Sequence, residues 1–107
     1  MNFFIKRLMP TYKIIYRERA IKEYSDSLAW YKKNSFQAAE NFQIIISNTV
    51  TAIAHDAYSF KNSYKKFYIA RTRKFPFTIV FFIEEGDRVI VITSIFHNKR
   101  NPIKKFR

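Results

Sequence analysis

The chain has no cysteine, one glycine, one tryptophan and no apolar run long enough to span a membrane. Without cysteine there is neither a disulfide nor a thiolate metal site. Two isolated histidines, His55 and His97, make a poor zinc set, so no metal and no cofactor are expected. The opening MNFFIKRLM carries too short an apolar stretch for a secretory signal, and the chain is expected to be cytoplasmic, with no membrane contact. No internal repeat or low-complexity linker interrupts it. Charge is missing in two places: no lysine or arginine occurs from Asn34 to Phe60, and no acid from Ala57 to Ile83.

What is present is apolar bulk and positive charge. At 107 residues the chain makes one domain over 1–107, able to bury roughly two thirds of its unfolded surface. Hydrophobic content of 48% argues against disorder, and seven tyrosines with twelve phenylalanines fill a small core with few residues. The net charge is +12, divided unevenly: residues 1–56 carry +3 and residues 57–107 carry +9. One half is a nearly neutral scaffold and the other a basic surface, which fits nucleic acid or an acidic protein segment.

Residues 11–17 (TYKIIYR) alternate as a short strand after Pro10. Residues 19–33 place Ala20, Ile21, Tyr24, Leu28 and Tyr31 on one helical stripe, with Trp30 off it. Asn34 suits an N-cap, with Gln37 as its capping-box partner. Over 35–55, Ala38, Ala39, Phe42, Ile45, Ile46, Thr49, Val50 and Ile53 follow the helical repeat, and Ile44 points outward. A loop through Tyr58–Tyr64 leads to strands near 66–73, 77–84 and 88–96. The run FTIVFFI is apolar on both faces, as in a central strand. The order is β-α-α-β-β-β, an α+β fold. A helical hairpin packs on one face of a mainly antiparallel four-stranded sheet, and the other face stays open. Residues 1–9 read as an extension, and 97–107 as a basic tail.

The most informative stretch is RTRKFPFTIVFFIEEGDRVIVITSIFHNKRNP, residues 71–102. Two apolar runs flank a tight turn holding Gly86, where a hairpin favours a residue free to take positive φ. Basic clusters bracket the pair. Arg71, Arg73 and Lys74 alternate near one strand end, with Arg71 and Arg73 on one face; Lys99 and Arg100 follow His97 at another. These cations suit an anionic target. His97 is the candidate general acid or base, because an unperturbed imidazole titrates near neutrality. Trp30 and Ile44, apolar but off the helical stripes, are candidate partner contacts. Tyr64 and Tyr68 suit either base stacking or sheet packing, and His55 suits the C-terminal dipole of its helix.

This order resembles the RelE/ParE superfamily of toxins from bacterial type II toxin–antitoxin modules. The marks are Ala38, Ala39 and Phe42 in the second helix, R-x-R-x-F-P-F-x-I-x-F from Arg71 to Phe81, and H-x-K-R-x-P from His97 to Pro102. The resemblance implies a growth-inhibiting toxin in a hetero-oligomer with an acidic cognate antitoxin that covers its basic face. It leaves two activities open, ribosome-dependent mRNA cleavage of the RelE type and ParE-type poisoning of DNA gyrase. Where RelE-like nucleases carry a catalytic arginine at the start of the central strand, this chain has Thr78, and no tyrosine follows Pro102. The FPF segment is more similar to the ParE and plasmid-stabilisation branch. A basic RNA- or DNA-binding module without toxicity is the reading from composition alone.

Overall fold

The computed structural model describes residues 11–99. Strand β1 (Lys13–Tyr16) leads into helix α1 (Glu18–Asn34) and helix α2 (Phe36–Asp56), which ends in a short 3₁₀ turn. Strands β2 (Lys61–Tyr64), β3 (Phe67–Arg71), β4 (Phe77–Glu84) and β5 (Val89–His97) follow. The sheet order is β1-β5-β4-β3-β2, with β1 parallel to β5 and every other pair antiparallel. Among the described residues no helix is long and apolar enough to cross a membrane.

Both helices lie on one face because their stripes meet one set of strand residues. Ala20, Phe42, Ile46, Val50 and Ile53 share a buried cluster with Ala70, Phe77, Ile79, Phe81, Ile90, Ile92 and Ile95. Phe42 is fully buried, 5.0 Å from the Phe77 ring and 5.4 Å from Tyr24. Each such ring pair adds about 0.5–1.5 kcal/mol beyond the area it buries. Strand β4 is central, as its two apolar faces require, between β3 and β5.

Several expectations change. The sheet has five strands, since Lys61–Tyr64 pairs with β3 inside the stretch read as loop. All four of its residues are exposed, so no buried alternation marks it in the sequence. The face away from the helices is not open: Ile69, Val80, Phe82, Val91 and Phe96 are each less than 8% exposed. The cap of α2 is Ser35, whose hydroxyl accepts from the Ala38 N–H at 3.1 Å. Asn34 instead donates to the Trp30 carbonyl, and Gln37 to Asn41. In the β4–β5 turn Gly86 has no positive φ; Arg88 takes that conformation at 53°. Glu85 accepts from the Arg88 N–H at 3.2 Å, so the left-handed residue closes the turn and Gly86 sits within it. Residues 1–9, Arg100 and the tail beyond it lie outside the described residues.

A bulge shapes the end of β5. Val80 pairs with Ser94 but Phe81 pairs with Ile92, leaving Thr93 as the extra residue. Side chains alternate along a strand, so one inserted residue switches every later one to the opposite face. Ile90 and Ile92 face the helices before the bulge, and Ile95 and His97 face them after it. Glu23 of α1 seals the irregularity. One carboxylate oxygen accepts from the Ser94 hydroxyl at 2.7 Å and the Ile95 N–H at 3.0 Å, and the other pairs with Arg19 at 3.3 Å.

Candidate functional site

The antiparallel pairing brings Arg71, Arg73 and Lys74 to the same end of the sheet as Lys99. There β3 exits at Arg71, β4 enters at Phe77 and β5 exits at His97, with Arg71 opposite Thr78 and Phe77 opposite His97. The end of α1 lies here too, because Tyr31 packs on Phe75 at 5.2 Å and on Phe77 at 6.5 Å. Arg71, Arg73, Lys74 and Lys99 are exposed around this rim, and so are Lys32 and Lys33 in the last turn of α1.

The loop between β3 and β4 presents its cations by a strained turn. Lys74 has φ 69°, and the Phe75 N–H donates across it to the Arg73 carbonyl at 2.7 Å, closing a three-residue γ-turn. A non-glycine residue held this way costs about 1–3 kcal/mol unless its surroundings impose it. Here the Thr72 hydroxyl donates to the Phe75 carbonyl at 2.6 Å, and the Phe75 ring is anchored on Tyr31 and Phe42. Phe75 is held and Arg73 and Lys74 turn outward. Because β3 ends at Arg71, Arg73 belongs to this loop and does not share a strand face with Arg71, as alternation had suggested.

Thr78 is a structural residue. It is 1% exposed, and its hydroxyl donates to Asn98 Oδ1 at 2.6 Å, while the Asn98 N–H donates to the Pro76 carbonyl at 2.7 Å. These bonds fasten the exit of β5 to the entrance of β4 and leave no cation at the start of the central strand.

His97 points to the helix side. Its ring meets Phe77 edge-on at 5.1 Å, and its Nδ1 accepts from the Lys99 N–H at 3.2 Å. With Ser27, Trp30, Tyr31 and Phe77 it lines a cavity of about 60 Å³. Arg71 belongs to the opposite sheet face, in register with Thr78. The structure thus gathers the cations around one rim but does not bring Arg71 and His97 together over one reacting phosphate. Among the described residues no group of three His, Asp or Glu side chains is placed to hold a metal. Ser27 and Tyr31 join the cavity lining without a functional motif in the sequence to mark them. A trace existed for Ser27, a polar residue three positions from Tyr24 and seven from Ala20, on the apolar stripe itself.

The two apolar candidates on the helices are exposed, Trp30 at 55% and Ile44 at 53%. A larger groove of about 380 Å³ opens elsewhere between α1, α2 and β5, lined by Tyr16, Ile21, Tyr24, Ile46, Val50 and Ile95 among others. Tyr68 is a packing residue, stacked on Phe81 at 5.5 Å, whereas Tyr64 is exposed under the Lys65 ammonium. In the last turn of α2 the His55 Nδ1–H donates to the Thr51 carbonyl, 2.9 Å away.

The far end of the sheet carries a different cluster. Glu85 accepts hydrogen bonds from the hydroxyls of Tyr12 (2.6 Å) and Tyr58, and Arg88 lies 3.8 Å from the carboxylate with its guanidinium over the Tyr12 ring. The two phenols hold the Glu85 carboxyl below its ordinary range, and the bond to Glu85 pushes Tyr58 up to about 12.

A family model described as the ParE toxin of the type II toxin–antitoxin system parDE matches residues 14–102. Among solved structures, one of the chromosomal ParDE system from P. aeruginosa is similar with a TM-score of 0.70 and 14% identity, over 81% of this chain and 96% of that one. A mutant of the E. coli toxin RelE in the free state is similar with a TM-score of 0.59 and 14% identity, over 87% and 90%. The intact E. coli RelBE toxin–antitoxin complex gives 0.51 and 17%, over 83% and 99%. At such identities these likenesses establish a shared fold. No curated protein matches the chain.

Proposed function

The chain belongs to the ParE toxin family of type II toxin–antitoxin systems, and from that premise we propose that it arrests bacterial growth by a ParE-like, non-nucleolytic action on DNA gyrase. The observation that carries this reading is the fate of Thr78. Cleavage of RNA by its own 2′-hydroxyl needs a proton acceptor, a donor for the leaving oxygen and cations on the developing phosphorane. At the start of the central strand the only polar group is the Thr78 hydroxyl, already donated to Asn98. His97 and Arg71 face opposite sides of the sheet. A cationic rim without a converging acid–base pair among the described residues suits binding of an acidic protein surface better than phosphodiester chemistry.

Neutralisation falls to a cognate antitoxin with an acidic segment for the rim and an amphipathic helix for the apolar groove between α1 and α2. An antitoxin partner is supported by the similar structures, which are named as a ParDE toxin–antitoxin system and a RelBE toxin–antitoxin complex. Exposed Trp30 and Ile44 are the further contacts we assign to it. The test is supercoiling by purified gyrase. Inhibition by the protein, weakened in Arg73→Ala and unchanged in His97→Ala, supports the reading. Untouched gyrase together with ribosome-dependent mRNA cuts transfers the assignment to the RelE type. Neither activity leaves a basic nucleic-acid-binding module.

A further inference from the structure

The junction of α1 and α2 leaves two large aromatics in water at the basic rim. Trp30 is 55% exposed and Phe36 74% exposed, with exposed Lys32 and Lys33 between them in the chain. Tyr31, in the same turn, faces inward onto Phe42, Phe75 and Phe77, so the junction is fixed against the loop that presents Arg73 and Lys74. Trp30 also shares the small cavity with Ser27 and His97, and the backbone after His97 leads to Lys99. Lys32, Lys33, Arg73, Lys74 and Lys99 form no ion pair among the described residues. No acid occurs in residues 27–39, 57–83 or 88–99, the described segments that supply this end.

Cations alone suit any polyanion. The indole narrows the choice, because an exposed flat ring among unopposed cations is what a nucleic-acid strand uses: bases stack on the ring while phosphates follow the charges. A duplex keeps its base faces inside its own stack and offers none to Trp30. We propose that the α1–α2 junction binds single-stranded nucleic acid, with a base stacked on Trp30 and its phosphates on Lys32, Lys33, Arg73, Lys74 and Lys99. The cavity beside Trp30 holds about two waters' worth of liquid volume, too little for a base. The base therefore stacks on the outer surface of the indole. Trp30, Lys32 and Lys33 come from α1, whereas Arg73, Lys74 and Lys99 belong to the rim that the gyrase reading also uses. The Trp30→Ala and Lys32→Ala/Lys33→Ala variants therefore test this proposal apart from that reading.

Trp30 is the only tryptophan, so its emission reports the site directly. The full chain is titrated with an oligothymidylate of about ten nucleotides, within the span one small binding module covers. We expect quenching of Trp30 emission. The plot of log K against log salt should have a slope of about −3.5 if all five cations engage phosphates. Binding of a labelled oligonucleotide should be about five- to 150-fold weaker in Trp30→Ala, with unchanged circular dichroism. Trp30→Phe should restore much of it. In Lys32→Ala/Lys33→Ala the slope should become shallower by about 1.4. Polyglutamate of matched charge should compete for the cations without quenching. Oligonucleotide binding without quenching, quenching by polyglutamate to the same extent, unchanged affinity in Trp30→Ala, or no binding at low salt each overturns the proposal.

Discussion

Glu23 shows how one side chain sets the geometry of the rim. Its carboxylate takes the Ser94 hydroxyl and the Ile95 N–H beside the bulge, and Ser94 is fully buried. Truncation leaves two donors without a partner, at about 1–3 kcal/mol each. We expect Glu23→Ala to be destabilised by that order in urea unfolding, with Glu23→Gln intermediate because its amide oxygen still accepts. Loss of the bulge would return His97 to the face of Arg71, so the His97 ring resonances in nuclear magnetic resonance should move in Glu23→Ala. At the other end of the sheet, Tyr58 titrates at about 12, above the ordinary phenol value of 10.0, through its bond to Glu85. A raised folded value stabilises below the unfolded pKa and is lost as pH rises through the folded one, so this contribution disappears between about 10 and 12. Glu85 is lowered, so its contribution is present above the unfolded carboxyl value and is lost as acid takes the pH through the folded one. Tyrosinate absorbance should show a late phase near pH 12 that moves to lower pH in Glu85→Gln.

At the scale of elements, the helical stripes and the doubly apolar β4 were legible because burial imposes a period on them. What was not legible had no burial signal or turned on local competition. Strand β2 is an exposed edge, and KNSY carries no alternation of apolar residues. Ser35 and Asn34 are both good caps, and only the chain's path decided that the serine sits where the Ala38 N–H needs an acceptor. A lone glycine in a tight turn is the residue type best suited to its left-handed position. Arg88 holds it instead, and its side chain gains Glu85 and the Tyr12 ring there. A Cβ at Gly86 meets nothing within 4 Å, and the residue has no positive φ. Gly86→Ala should therefore raise stability by about 0.4–1 kcal/mol, chiefly by restricting the unfolded chain. Thermal unfolding measures it, and a lower melting temperature would place Gly86 in a conformation alanine cannot take.

Across the whole molecule, charge is polarised along the strands. Asp56, Glu84, Glu85 and Asp87 gather at the β4–β5 turn end, half of the eight acids in the chain, while the opposite rim carries Lys32, Lys33, Arg71, Arg73, Lys74 and Lys99. The two basic clusters were legible as strand ends, and hairpin pairing alone places them at the same end. The separation of His97 from Arg71 was hidden, because it depends on a one-residue bulge that no residue type announces. A cationic rim steers an acidic partner, so association with the antitoxin should slow with rising salt. On this reading the rim makes the chain a toxin by binding and not by cutting RNA. This is tested most directly by inducing the chain, Arg73→Ala and His97→Ala in bacterial cells while mapping mRNA 5′ ends. We expect growth arrest by the wild-type chain and by His97→Ala, relief in Arg73→Ala, and no new discrete ends. Healthy growth with abundant folded protein, or discrete mRNA cuts that vanish in His97→Ala, would contradict it.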